Sequence, residues 1–372
     1  MTKHMSKKFL KNIFISSIHQ NAGKTTVSLG LYKAFREMNL RTAFMKPVGQ
    51  EVVSIGESNI DKDSYLIGEV FRTWKKFKEM SPVTIGPGYT EKYILNPHKA
   101  RLQEAIEKSF KSLINRKDAI IVEGTGHAGV GSVIDFSNAD VAHLLGSKVI
   151  IVCEGGIGKS IDEIMLNKAL FDLKGVEILG VIVNKVIPEK YDKIKKILKM
   201  GLAQKNIRLL GVIPFDPLLK SPTIEQVQTR LNLELLCGKK GTARRVRNTI
   251  VAAMEPHHMI QYLGDGTLVL TSGDRVDNIL AAVSSHLISN DGKGFRIAGV
   301  ILTGGLMPTS KIIDLLKKSR MPVLITNDDT YTVAAKIENL ICKIQTTDKD
   351  KIKEANRLVK RHIDVKMILQ YA

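Results

Sequence analysis

Short apolar runs alternate with segments whose apolar residues recur every three to four positions. "NIFISSI" is rich in β-branched residues. "GKTTVSLGLYKAFREMN" follows it with Val27, Leu31, Ala34, Phe35 and Met38 at helical spacing. "RTAFMKPV" reads as a strand stopped by Pro47. "AIEKSFKSLINRK" reads as a helix leading into the strand "DAIIVEG". The strand "SKVIIVCEGG", a helix through "SIDEIMLNKALFDLKG", the strand "VEILGVIVNKV", a lysine-rich helix and "IRLLGVIPF" continue the series. Strands that are apolar without alternation are buried on both faces, so the pattern predicts a parallel sheet with helices on either side.

After Pro214 the texture changes. "PFDPLLKSPTIEQVQTRLNLELLCGKKGTARRVRN" reads as the end of one domain and a basic connection. A second set follows: "GTLVLTSGD", "NILAAVSSHLIS", "GFRIAGVILTGG", "SKIIDLLKKS", "MPVLITN" and "YTVAAKIENLI". The expected organisation is a parallel-sheet α/β domain over 1–238, a smaller α/β domain over 239–345, and a charged helical tail over 346–372.

Composition narrows the function classes. A chain of 372 residues is long enough for about two domains. No apolar run approaches the roughly 18 residues of a membrane-spanning helix. The basic-then-apolar start "MTKHMSKKFLKNIFISSI" lacks a small-residue cleavage site and reads as a first strand. Cys153, Cys237 and Cys342 are far apart and no CxxC exists, which argues against a disulfide framework or zinc site and for a reducing cytoplasm. The net charge is +19. Its lysines are scattered among apolar and acidic residues without interleaved aromatics, which argues against nucleic-acid binding.

"SSIHQNAGKTT" carries the candidate chemistry. It ends in Gly23-Lys24-Thr25, the second half of G-x-x-x-x-G-K-[ST], but Ile18 stands where the first glycine belongs. A phosphate cradle needs a strand, a tight turn exposing backbone N–H groups, and a helix N-terminus. All three are predicted here. Gly23 permits close approach, Lys24 would reach the β- and γ-phosphates, and Thr25 would bind Mg²⁺. "GGIGKS", Gly155–Ser160, imitates the motif, but Cys153 lies inside the strand at the early position, so that loop is too short to wrap phosphates and reads as a plain turn.

Several motifs in order resemble the dethiobiotin synthetase family, and above all the dethiobiotin-synthetase-like N-terminal domain of some phosphotransacetylases. They are "SSIHQNAGKTT", "FMKPVGQ", "IDKDSYLIGEVF", "IIVEGTGHAGVGS", "GVIVNKV" and "LLGVIPFDP". That family's phosphate loop often lacks the early glycine. The resemblance implies that Asn21, Ala22, Gly23, Lys24, Thr25 and Thr26 hold nucleotide phosphates, and that Lys46 contacts the transferred phosphate. It further implies that Asp63 and Glu123 stand with Thr25 on the Mg²⁺ side, and that Asn184 reads adenine. Asp61 competes with Asp63 for the metal role, and either could be an ordinary helix cap. Glu123 ends an apolar strand, where a buried carboxylate needs a partner.

Two departures limit the carry-over. "GQEVVSIGES" and "GTGHAGVGS" stand where dethiobiotin synthetases bind their substrate, and no diaminopelargonate pocket maps onto them. His127 in the second segment reads as an ordinary loop histidine. The deviant phosphate-loop family of partitioning and septum-placement ATPases is a competing relative, but its signature lysine corresponds to His19 here.

The C-terminal half resembles the DRTGG domain through Asp274-Arg275 and Thr303-Gly304-Gly305. No nucleophile–base pair or metal cluster accompanies them, and nothing matches a phosphotransacetylase catalytic region. The expectation is a cytoplasmic Mg-ATP-binding protein with a regulatory DRTGG domain, self-associating and open to a small carboxylate or other anionic effector. The alternative is an ATP-dependent ligase that phosphorylates a carboxylate or carbamate.

Overall fold

The computed structural model describes residues 10–56, 58–288 and 296–372. The first nine residues, including the basic part of the predicted first strand's approach, and the start of "GFRIAGVILTGG" lie outside the described residues. Contacts divide the chain into two units, Met1–Asp216 with Ile344–Ala372, and Pro217–Lys343.

The first unit is built on six parallel strands: β1 (Lys11–Ser17), β2 (Thr42–Met45), β3 (Ala119–Glu123), β4 (Lys148–Glu154), β5 (Ile178–Val186) and β6 (Leu209–Pro214). Their order is β6-β5-β4-β1-β3-β2. The central strands are wholly buried through Ile13, Phe14 and Ile15, Ile120 to Val122, and Val149 to Val152. That is why their sequences do not alternate. The main helices are α1 (Lys24–Glu37), α2 (Lys62–Phe71), α3 (Lys99–Ile114), α4 (Gly158–Leu173) and α5 (Tyr191–Ala203). Val27, Leu31, Ala34 and Phe35 bury one side of α1, while Met38 lies past the helix end and is exposed. β1 lies between β3 and β4, so the chain departs to both sides of it, and ligands of open α/β sheets sit at the carboxyl ends of such strands.

The charged tail belongs to this unit. Helix Lys349–His362 buries Ala355, Leu358 and Val359. A Cβ added at Gly30 in α1 would lie 2.3 Å from Val359 Cβ, so the two helices touch backbone to side chain. Ile363 bridges to Gly211, and Asp364 N–H donates to Leu210 O at 2.9 Å.

The second unit starts at Pro217, earlier than the boundary expected near Lys239. It holds β7 (Glu234–Cys237), β8 (Asn248–Val251), β9 (Thr267–Ser272), β10 (Gly299–Thr303) and β11 (Val323–Ile325), in the order β7-β11-β10-β9-β8. Only β7 is antiparallel, against β11. The main helices are α6 (Ile224–Leu231), α7 (Val276–Ile288), α8 (Ser310–Ser319) and α9 (Thr330–Glu338). Leu268 and Leu270 join Ile224, Val227 and Val333 on one face of the sheet, while Val269 joins Ile279, Val283 and Leu316 on the other. The boundary expected near Lys239 is therefore corrected to 216/217. α6 and β7 supply core and pairing to the second sheet, so the change of texture after Pro214 marks the cut and the basic connection near Lys239 lies inside the second unit.

Asp274-Arg275 follows the carboxyl end of β9, and Thr303, the last residue of the adjacent β10, leads into Gly304-Gly305. Arg275 donates to Ala253 O and Met254 O, both at 3.4 Å, and pairs with Asp277 at 2.8 Å. Its guanidinium ties the exit of β8 to the start of α7.

Candidate functional site

The loop after β1 turns through two left-handed residues, Asn21 at φ 64° and Gly23 at φ 105°. Asparagine tolerates that conformation and glycine adopts it freely. Ile18 instead prolongs the sheet, its N–H donating to Val152 O at 3.1 Å. Ile18 stands one residue past β1, still bonded to the sheet and without the positive φ that would call for a glycine.

The loop is held from β5. Asn184 Nδ2 donates to Ala22 O at 2.9 Å, and Lys185 N–H donates to Asn184 Oδ1 at 2.9 Å. A Cβ at Gly23 would come within 2.0 Å of Asn184 Nδ2. Gly23 is favoured by its φ, and a side chain there would also push the Asn184 amide off Ala22 O. Lys185 Nζ donates to Asn21 O at 2.7 Å.

α1 opens with Lys24, whose Nζ donates to Ser17 Oγ at 2.9 Å. Thr25 Oγ1 lies 3.1 Å from Asp63 Oδ1 and 3.0 Å from Glu123 Oε1. Lys46, just past β2, sets Nζ 2.8 Å from Asp63 Oδ2, 3.2 Å from Glu123 Oε1 and 3.2 Å from Gly124 O. Ser28 donates to Glu123 Oε2 at 2.6 Å. Thr26 is buried in the first turn of α1. Lys46, Asp63 and Glu123 have side chains at most 6% exposed, so this is a buried ionic cluster. Burial lowers the Lys46 pKa, but Asp63, Glu123 and Asp61 together more than offset it and hold the ammonium charged above the ordinary lysine value.

The two aspartates separate by role. Asp61 is the N-cap of α2, its Oδ1 accepting from Asp63 N–H at 2.8 Å. Burial, opposed by Lys46 and reinforced by Asp63, pushes Asp61 up to about 6. Asp63, two residues on, faces Thr25 and Lys46. A hydroxyl and two carboxylates converging from α1, α2 and β3 are hard oxygen donors suited to Mg²⁺, which typically takes one or two carboxylates and completes its shell with phosphate and water. Among the described residues, no cluster of three or more His, Cys, Asp or Glu could hold a metal alone.

The sequence reading missed Ser17, Ser28, Lys185 and the carbonyl of Gly124. Ser28 was open to detection, because three residues after Thr25 is the same side of a helix. In the imitation motif, Lys159 is 85% exposed and pairs only loosely with Glu163 at 3.8 Å. His127 is exposed, its Nδ1 accepting from Gly129 N–H at 3.2 Å. His19 faces Glu154 at 3.5 Å.

A family model described as an AAA domain, AAA_26, matches residues 11–223, more than half of the chain. The chain belongs to this AAA-domain family. A DRTGG-domain model matches residues 226–340. The phosphate acetyltransferase of Nitratidesulfovibrio vulgaris is 28% identical over 95% of this chain and 50% of its own length. That of Synechocystis sp. is 27% identical over 97% and 51%. The chain thus spans about half the length of the curated relatives it matches. Among solved structures, the MinC:MinD cell division protein complex of Aquifex aeolicus aligns with 56% of this chain and 83% of that chain, at 17% identity and a TM-score of 0.36. The AAA-domain and DRTGG matches agree with a parallel-sheet P-loop domain followed by a DRTGG domain, the architecture of phosphotransacetylase N-terminal regions. Among the described residues, no helix is long and apolar enough to cross a membrane.

Proposed function

We propose that the first unit binds Mg-ATP and that the chain acts as a nucleotide-dependent regulator or ATPase coupled to its DRTGG unit. One observation carries the reading. The phosphate loop delivers Lys24 and Thr25 to a buried cluster in which Lys46, Asp63 and Glu123 converge. On this reading the loop N–H groups and Lys24 bind phosphates, and Lys46 meets the γ-phosphate. Thr25, Asp63 and Glu123 hold the Mg²⁺, which neutralises phosphate charge when bound. Asn184 braces the loop and keeps one amide hydrogen and further lone pairs for a base. The acetyltransferase activity named for the relatives belongs to proteins about twice this length and is not assigned to these residues.

Calorimetry tests the reading. The full chain should bind ATP in Mg²⁺, Lys24→Ala should weaken binding by about tenfold or more, and Lys159→Ala should leave it unchanged. Equal affinity in wild type and Lys24→Ala removes the site. Steady turnover yielding a phosphorylated carboxylate or carbamate would move the assignment to the ligase reading.

A further inference from the structure

The ammonium of Lys46 stands where the metal-side oxygens converge. An ammonium has three N–H donors, and here they meet Asp63 Oδ2 at 2.8 Å, Glu123 Oε1 at 3.2 Å and Gly124 O at 3.2 Å. Glu123 Oε1 is also 3.0 Å from Thr25 Oγ1. A dication ligated by Thr25, Asp63 and Glu123 would therefore share its carboxylates with a second cation at close range. In a buried site that repulsion is screened far less than in water.

The backbone of Lys46 is not free to relieve the conflict. It follows β2, its N–H donates to Met80 O at 2.8 Å, and Pro47 restricts it to extended conformations. The four-carbon side chain is the part that can move. We propose that Lys46 is an internal counter-cation: it occupies the carboxylates and keeps Mg²⁺ from the site until nucleotide phosphates draw its ammonium away. Metal entry is then conditional on nucleotide, and free Mg²⁺ does not load the site. The proposal rests on the Mg-ATP reading for the identity of the displacing group, but its central claim concerns the nucleotide-free protein.

The test uses Mn²⁺ as a paramagnetic probe for Mg²⁺, with the nucleotide-free full chain at pH 8, and free Mn²⁺ read by electron paramagnetic resonance. Wild type should bind weakly. Lys46→Met, which keeps the length and removes the charge, should bind at least about tenfold more tightly. Adding Glu123→Gln to Lys46→Met should abolish the gain. Lys46→Met binding no tighter than wild type overturns the proposal. Since Lys46→Met leaves two buried carboxylates facing each other, circular dichroism must show the variant folded. A wild-type measurement stands apart from it: Mg²⁺ alone should not raise the melting temperature, and a rise of roughly 2 °C or more overturns the proposal whatever the variant does. ATP titration of wild type separates the two readings. Absent ATP binding defeats the nucleotide reading while the Mn²⁺ comparison still decides the role of Lys46.

Discussion

Replacing Gly30 by alanine sets two effects of opposite sign against each other. In an exposed helix interior, Gly→Ala stabilises by about 1 kcal/mol. In α1 the new methyl would meet Val359 Cβ and Cγ2 at 2.3 Å and Cγ1 at 2.8 Å. A rotamer change can move the two γ-carbons but not Cβ, and Val359 is fully buried. Carbon contacts sit near 3.5–4.0 Å, so the helices must part by more than about 1 Å. Overpacking of this kind costs about 1–3 kcal/mol, toward the upper end where backbone must move. The net expectation is a loss of about 1–2 kcal/mol. Urea unfolding followed by tryptophan fluorescence measures it. The only tryptophan, Trp74, lies in the first unit, so the signal reports that unit even though a two-unit chain need not unfold in one step. The midpoint should fall with an unchanged slope. A Gly30→Ala protein more stable than wild type would show that helix Lys349–His362 does not lie on α1. Val359→Ala should cost about 2 kcal/mol for its two methyls and the void they leave, and ending the chain at Lys343 should cost more than either substitution.

On the proposed Mg-ATP reading, Glu123→Gln should weaken ATP binding about tenfold in Mg²⁺ and leave it near wild type in EDTA, because it removes a charge from the proposed metal side. Equal losses in both would count against that role. In the second unit, burial first, with Arg244 and Arg296 adding, pushes His286 down to about 4. The folded state then binds fewer protons than the unfolded one between about 4 and 6.5, so stability contributed by neutral His286 is lost as pH falls through that window. Urea midpoints by circular dichroism should show this slope in wild type and a shallower one in His286→Gln. Identical slopes would refute the assignment.

What the sequence disclosed follows the range of the interactions. The phosphate loop was legible because strand, turn glycine and helix start lie within a dozen or so residues, and local rules govern them. Asp61 and Asp63 were not separable, since "DKD" offers two carboxylates at one helix start. The choice depends on Lys46 and Thr25 arriving from β2 and α1. Only the fold shows Asp61 extended as the cap, at φ −65° and ψ 141°, and Asp63 turned to the cluster. Ile18 looked like a defect because the motif asks for a glycine there, whereas its N–H still bonds Val152 O beside β4 and its backbone has no positive φ. The tail shows the limit most clearly. "KDKIKEANRLVKRH" places Ile352, Ala355 and Val359 along one side, which says that the helix needs a partner but not which one. The partner is Gly30, more than three hundred residues earlier. Its consequence is topological: the DRTGG unit is inserted in the first unit, leaving after β6 and returning into the helix that packs on α1. A segment that begins with Lys24 and Thr25 at one end therefore supports, along its side, the element through which the chain comes back from the DRTGG unit. Ending the chain at Lys343 removes this supporting helix together with the return connection, so that truncation tests the proposed regulatory reading only after the stability cost of the lost helix has been measured.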